Sequence, residues 1–294
     1  EDLPFWRKFF DELGIRTVDS SDFREGIAAG RRLAGAEFCA PMTALHGHVR
    51  HLLDTADYVF LPISLEKPAE VKTARRQYCY YTQFAASVAS GACDAEDRPR
   101  ILSPLVDYLY HAFHAKTQLY RMLRPLTRSR IRFLEVSAAY DAALKLKTAG
   151  LSRLQSVYRE NTAGADDIHV VLLGRPYTIL SPSMNKKIPA IFGTLGIPAF
   201  YQDMIPPVET AGDEPDPLLE DVHWRYAAEA LKAAKTTATA AGAYPVWITS
   251  FKCTPDAFAL EYFRDIMAAR GKPYLILQLD EHDSSVGYET RIEA

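Results

Sequence analysis

Cysteine is scarce in this chain: Cys39, Cys79, Cys93 and Cys253 are the only four in 294 residues. So few thiols, so scattered, exclude a disulfide framework in a chain this large, and they read instead as free thiols, metal ligands or small core residues. An excess of positive charge is also missing, because 34 Lys+Arg face 37 Asp+Glu for a formal net charge of -3. Nothing in that balance neutralises a run of phosphates, so nucleic acid is not an expected partner. No apolar run approaches the roughly 20 residues that span a bilayer, and no charged-then-apolar leader opens the sequence. The expectation is a soluble, cytoplasmic protein with no membrane partner. A Gly-rich phosphate loop is absent too, so any ATP chemistry belongs to a partner or to a domain outside this sequence.

What is present is ordinary globular composition, 48% hydrophobic and 24% charged, with length for two domains. Leu3–Leu13 places apolar residues at helical spacing, and Gly14 stops it before an apparent short strand, Ile15–Val18. The same helix, then strand, rhythm recurs at Met42–Leu53 with Asp57–Pro62, at Lys187–Leu195 with Gly196–Tyr201, and at Ala257–Ala269 with Gly271–Leu279. Nearly all-apolar short strands alternating with helices predict an α/β fold of parallel sheets covered on both faces. Between about Pro104 and Asn161 only helical pattern is found, and Ile168–Gly174 is the clearest buried strand. The chain therefore reads as two Rossmann-like lobes joined by a helical region: 1–103, 104–164 and 165–294. The acidic, Pro-rich stretch Ile205–Leu218 reads as a surface loop. A helix already under way at Leu3 and one cut short after Tyr288 suggest a piece of a longer polypeptide.

Cys39-Ala40-Pro41 and Cys253-Thr254-Pro255 share one signature. Each follows a strand-like segment and opens a helix, with proline in the first turn where its missing N–H costs nothing. Unpaired N–H groups and the positive end of the helix dipole favour the thiolate that metals bind. Cys79, ahead of the apolar helix running to Val88, is again near a helix start. Loops after strand ends converge in a doubly wound fold, so Cys39 and Cys253 are expected at one cleft between the lobes, joined by Cys79. Three thiolates without close spacing suit a cubane [4Fe-4S] cluster with one iron open, better than a zinc knuckle with its local ligand pairs. Cys93, in a polar loop context, is expected to stand apart.

His46, seven residues after Cys39, lies on the cysteine's helix face and reads as a satisfied helix histidine ahead of a ligand. Gly174-Arg175-Pro176-Tyr177 directly follows the strongest strand, where α/β proteins bind ligands. Arg175, Tyr177, Asp280 and Ser284 are the candidate substrate-binding residues, and His282 the candidate for proton transfer. Arg175 has a competing structural role, bridging to a carboxylate such as Asp280, and the polar run Asp280–Ser285 has one as a helix cap.

Phe38-Cys39-Ala40-Pro41, His46-Gly47-His48-Val49, Gly174-Arg175-Pro176-Tyr177, Phe251-Lys252-Cys253-Thr254-Pro255-Asp256 and the run from Gly271-Lys272-Pro273-Tyr274 to Ala294 resemble the acyl-CoA dehydratase activase-related family. That family is similar to 2-hydroxyacyl-CoA dehydratase subunits and double-cubane cluster reductases. The resemblance implies an iron–sulfur protein of an ATP-driven radical dehydratase or reductase system, with Cys39, Cys79 and Cys253 holding a [4Fe-4S] cluster. It implies a low-potential electron from an ATP-dependent activase and an acyl-CoA substrate, and leaves a homodimer open. The alternative is a non-catalytic scaffold or electron-relay module that docks onto an activase. Too few cysteines are well placed for a double-cubane cluster.

Overall fold

α1 (Leu3–Glu12) turns Phe5, Phe9 and Phe10 onto one buried stripe. In the computed structural model, which describes residues 2–68, 75–128, 130–164, 168–206, 220–279 and 286–294, this stripe packs into one of two apolar cores in the first of two compact units. That unit comprises 1–69 and 76–150, and the second comprises 70–75 and 151–294. The first unit continues with α2 (Gly26–Leu33), α3 (Ala40–Thr55), β1 (Val59–Phe60), β2 (Ile63–Ser64), α4 (Tyr80–Gln83) and α5 (Ala85–Gly91). Then come β3 (Ile101–Leu102), β4 (Leu105–Asp107), α6 (Ala112–Leu126) and α7 (Phe133–Asn161), whose residues from 151 on belong to the second unit. α6 and α7 add Leu119, Leu123, Val136, Ala139 and Ala143 to the core built on α1. A smaller core joins Val49 and Leu53 of α3 to Val59 and Ala89.

The strands of the first unit are short and pair in parallel, β1 with β3 and β2 with β4. Two expectations are corrected here. Ile15–Val18 is not a strand: Ile15 N–H closes the end of α1 on Phe10 O, and Val18 is 54% exposed and pairs with no strand among the described residues. Conversely β4 lies inside the stretch read as wholly helical, because three residues are too few to display a period of two.

α2 and α3 touch backbone to backbone. A methyl group at Gly30 would collide with Thr43 O and one at Gly47 with Gly26 O, so only glycine permits this approach. The contact fixes α3, whose first turn follows Cys39.

The second unit contains β5 (His169–Leu173), α8 (Pro176–Ile179), α9 (Ile188–Thr194), β6 (Ala199–Tyr201), α10 (Arg225–Thr239), β7 (Ala243–Ser250), α11 (Thr254–Arg270), β8 (Leu275–Leu279) and α12 (Val286–Glu293). Its four strands form one parallel sheet in the order β6-β5-β7-β8. Along β5 successive side chains enter different cores: Val171 and Leu173 pack with Ala-rich α10, Trp247 and Phe263, whereas Val170 and Leu172 pack with Ile179, Ile188 and Phe192. This is why the strand reads as an unbroken apolar run: both faces are covered by helices. Here the α/β expectation with parallel sheets holds. The expected loop at Ile205–Leu218 falls outside the described residues from 207 on. Among the described residues no helix is long and apolar enough to cross a membrane.

The helix contact yields a stability prediction. Gly47→Ala is expected to cost about 2–3 kcal/mol, the scale of overpacking a tight site. Gly150→Ala, on an exposed turn of α7 with open space around it, should instead stabilise by about 0.5–1 kcal/mol. Urea denaturation of both variants checks this, and a Gly47→Ala protein as stable as its parent would rule out the close approach.

Candidate functional site

The strand order of the second unit reverses between β5 and β7: from β5 the chain proceeds to β6 on one side, and from β7 to β8 on the other. Loops leaving the carboxyl ends of two such strands diverge and leave a crevice, the usual ligand position of an open parallel sheet. Gly174-Arg175 leaves β5 there, and Phe251-Lys252-Cys253 leaves β7. Gly174 has φ 144°, and a methyl group on it would strike Ile248 O. Only glycine lets β5 turn away this close to β7. Its N–H donates to Gln202 Oε1 at 2.9 Å, tying the end of β6 to the same corner.

Arg175 then points inward and is 3% exposed. Its Nε donates to Asp256 Oδ2 at 3.2 Å, Nη2 to Ser250 Oγ at 2.8 Å and Nη1 to Tyr177 Oη at 3.2 Å. The guanidinium carbon also sits 5.1 Å from the centre of the Tyr177 ring. Asp256, 1% exposed, accepts a further bond from Thr249 Oγ1 at 2.7 Å, while its buried Oδ1 has no hydrogen-bond partner among the described residues. Burial opposes the Arg175 charge, yet Tyr177, Asp256 and Cys253 facing it outweigh that and hold it protonated well above its ordinary range. Three nitrogens of Arg175 thus join the ends of β5 and β7 to the first turn of α11. The competing structural role foreseen for Arg175 is realised with Asp256; Asp280, His282 and Ser284 lie outside the described residues.

Cys253 caps α11. Lys252 before it adopts the left-handed φ of 65°, Cys253 N–H returns to Ser250 O at 3.2 Å, and Asp256 N–H reaches Cys253 Sγ at 3.4 Å. The expected depression of thiol pKa at a helix start is not found here. Burial pushes the Cys253 thiol strongly up and neighbouring Asp256 adds to it, with Arg175 opposing. Desolvation outweighs the helix end at a residue 7% exposed.

In the first unit Cys39 and Cys79 hold the same local position. Cys39, buried, is the N-cap of α3 with proline in the first turn, and Cys79 is the N-cap of the short α4. Both have extended φ/ψ, -65°/154° and -54°/144°. Their flanking rings meet: Phe38 packs edge-to-face on Tyr81 at 5.5 Å and stacks on His46 at 5.2 Å. One expectation about Cys39 is corrected, because it follows α2 and a short linker rather than a strand. His46 is satisfied within its helix, its Nδ1–H donating to Met42 O at 2.8 Å. Cys93 donates to Ala89 O at 3.2 Å after the end of α5, and burial raises its pKa.

Among the described residues no three His, Cys, Asp or Glu side chains gather as a metal site; Cys39 and Cys79 belong to one unit and Cys253 to the other. Cysteine sulfur is a soft-metal donor and each of the three stands at a helix start, while at Cys253 burial opposes the thiolate that a metal would need. Sequence reasoning missed Thr249, Ser250 and Asp256. Their signals were two hydroxyls ending an apolar strand and an acid at the third position of a helix.

A family model described as the CoA enzyme activase uncharacterised domain (DUF2229) matches residues 1–205, a span that contains Cys39, Cys79, Arg175 and Tyr177 and ends ahead of Cys253. No curated protein and no solved structure matches the chain.

The buried pair makes the second prediction. Asp256→Ala strands an unpaired guanidinium and is expected to cost about 3–5 kcal/mol, and the Arg175→Met/Asp256→Leu double variant should recover most of it. Arg132→Ala, which breaks an exposed pair with Glu135, should stay within about 1 kcal/mol of the parent. Equilibrium unfolding measures all three; a loss under about 1 kcal/mol in Asp256→Ala would mean that the pair is not buried as described.

Proposed function

The chain belongs to the activase-related family of the acyl-CoA dehydratase activator type, and from that premise we propose that it is the iron–sulfur component of a dehydratase-like or reductase system. The observation that carries this reading is that Cys39, Cys79 and Cys253 each cap a helix, in a chain with only one other cysteine. In the proposal these three thiolates hold a [4Fe-4S] cluster. When bound, such a cluster supplies one-electron chemistry and, with three protein ligands, has one iron open to a further ligand.

The chain's own residues have definite tasks in this reading. Cys253 is oriented by the turn at Lys252 and by the Asp256 N–H at its sulfur. Asp256 is held by Arg175 and Thr249, so the guanidinium acts as a positioning residue for the start of α11 and places a fixed positive charge near the Cys253 sulfur. Tyr177, whose ring lies against the same guanidinium, is proposed to join the substrate-binding residues. Asp280, Ser284 and His282 are proposed to complete a substrate-binding edge. The proposed electron source is an ATP-dependent activase domain or protein, since this sequence has no phosphate loop, and the proposed substrate class is an acyl-CoA thioester.

Anaerobic purification followed by iron and sulfide analysis tests the proposal. The expected content is about four irons per chain. Cys39→Ser and Cys253→Ser should each remove most of the iron, whereas Cys93→Ser should retain it. Full occupancy by zinc, with no iron uptake under reducing conditions, would replace the cluster with a structural metal site.

A further inference from the structure

In the first unit, α6 presents a second face, of which Tyr120 also packs against the core built on α1. Ala115, Leu119 and Leu123 are buried, and on the other side of the helix Phe113, Thr117, Tyr120, Arg121 and Arg124 form one stripe at spacings of three and four residues. With Phe133 at the start of α7 they line a surface cleft of about 450 Å³, a size within the ordinary range of small-molecule sites. The three rings are assembled: Phe133 meets Phe113 at 5.5 Å and Tyr120 at 5.8 Å, both edge-to-face. Phe113 is 68% exposed, so its ring is open to a ligand.

The charges of the cleft are just as incomplete. Lys116, on the same helix, is neutralised by Asp141 at 2.7 Å, but among the described residues the guanidiniums of Arg121 and Arg124 have neither an ion-pair nor a hydrogen-bond partner. In a chain of net charge -3, the twelve residues 121–132 hold five arginines and no carboxylate. An exposed aromatic ring beside two planar forks that have no partner among the described residues suits a ligand with a flat ring and neighbouring negative charge. Inorganic phosphate would leave the rings bare, and an aliphatic acid would use only one fork.

We propose that this cleft binds a nucleoside diphosphate group, its base stacked on the exposed Phe113 ring with Tyr120 and Phe133 lining the cleft beside it, and its phosphates on Arg121 and Arg124. The site is independent of the cysteine reading, for none of its residues lies near a cysteine in sequence and its ligand needs no metal. Two sources share this chemistry, a free nucleotide and the adenosine diphosphate portion of coenzyme A, and the test separates them.

Isothermal titration of the chain with ADP, coenzyme A and inorganic pyrophosphate, at low salt, reads the site directly. ADP or coenzyme A should bind at least tenfold more tightly than pyrophosphate; the tighter of the two identifies the source. Phe113→Ala should weaken binding roughly tenfold through lost stacking. Arg121→Ala/Arg124→Ala should weaken it roughly thirtyfold or more, and Arg32→Ala on α2 should leave it unchanged. All these positions are exposed, and circular dichroism confirms that each variant is folded. Pyrophosphate binding as tightly as ADP, no binding of either nucleotide at millimolar concentration, or undiminished binding in the double arginine variant would each overturn the proposal. So would a single-stranded oligonucleotide that outcompetes ADP.

Discussion

A guanidinium placed inside a protein has to be paid for by every atom around it, and in the second unit that requirement organises the end of the sheet. Arg175 leaves β5 into the interior, so acceptors must meet it there, and they come from the end of β7, the first turn of α11 and Tyr177 in α8. The bond to Asp256 spans 81 positions of sequence and that to Ser250 spans 75. Removing either charge alone leaves the other stranded, which is why such pairs are so costly to break even where their net contribution is small. The surrounding backbone is shaped to the same end. Gly174 permits the close turn past Ile248, and Lys252 accepts a left-handed conformation that brings Cys253 to the head of α11.

The first unit rests on a different economy. Its parallel strand pairs are too short to form a broad sheet, and its order comes from helices packed on two apolar cores. The glycine contact between α2 and α3 exchanges side-chain burial for backbone proximity and so fixes the helix that Cys39 caps. Cys79 reaches an equivalent place by a shorter route, at the head of a single helical turn beside the Phe38 and Tyr81 rings. The two units thus arrive at the same device, a cysteine at a helix start, through unrelated packing.

That device also shows how competing effects are ranked. A helix start favours a thiolate by at most about 2 kcal/mol, since the dipole acts over one turn and is strongest in partly buried sites. Taking an anion out of water costs more, and at Cys253 the desolvation prevails. At Cys253 the pattern Cys-x-Pro therefore predicts the helix start but not the raised thiol pKa, because the helix start follows from local backbone preference and the pKa from how deeply the residue is finally buried.

The same division runs through the whole chain. By itself the sequence determined the elements with strong local period: α1, α3, α11, the buried run of β5 and the apolar strand β8, together with the α/β class and the placing of Cys39 and Cys253 at helix starts. It also displayed a family resemblance, and the match over 1–205 covers the motifs at Phe38–Val49 and Gly174–Tyr177, those from Phe251 on lying beyond it. Periodicity failed where the local signal was weak or misleading: Ile15–Val18 has strand-forming residues but pairs with no strand among the described residues, and β4 is a strand only because β2 lies beside it. Only the tertiary structure decided that Arg175 is matched by Asp256, and that Phe113, Tyr120 and Phe133 line one cleft with Arg121 and Arg124. Propensity is a property of neighbours in the chain, whereas the partner of a buried charge is set by the order of strands in the sheet, which no stretch of sequence displays.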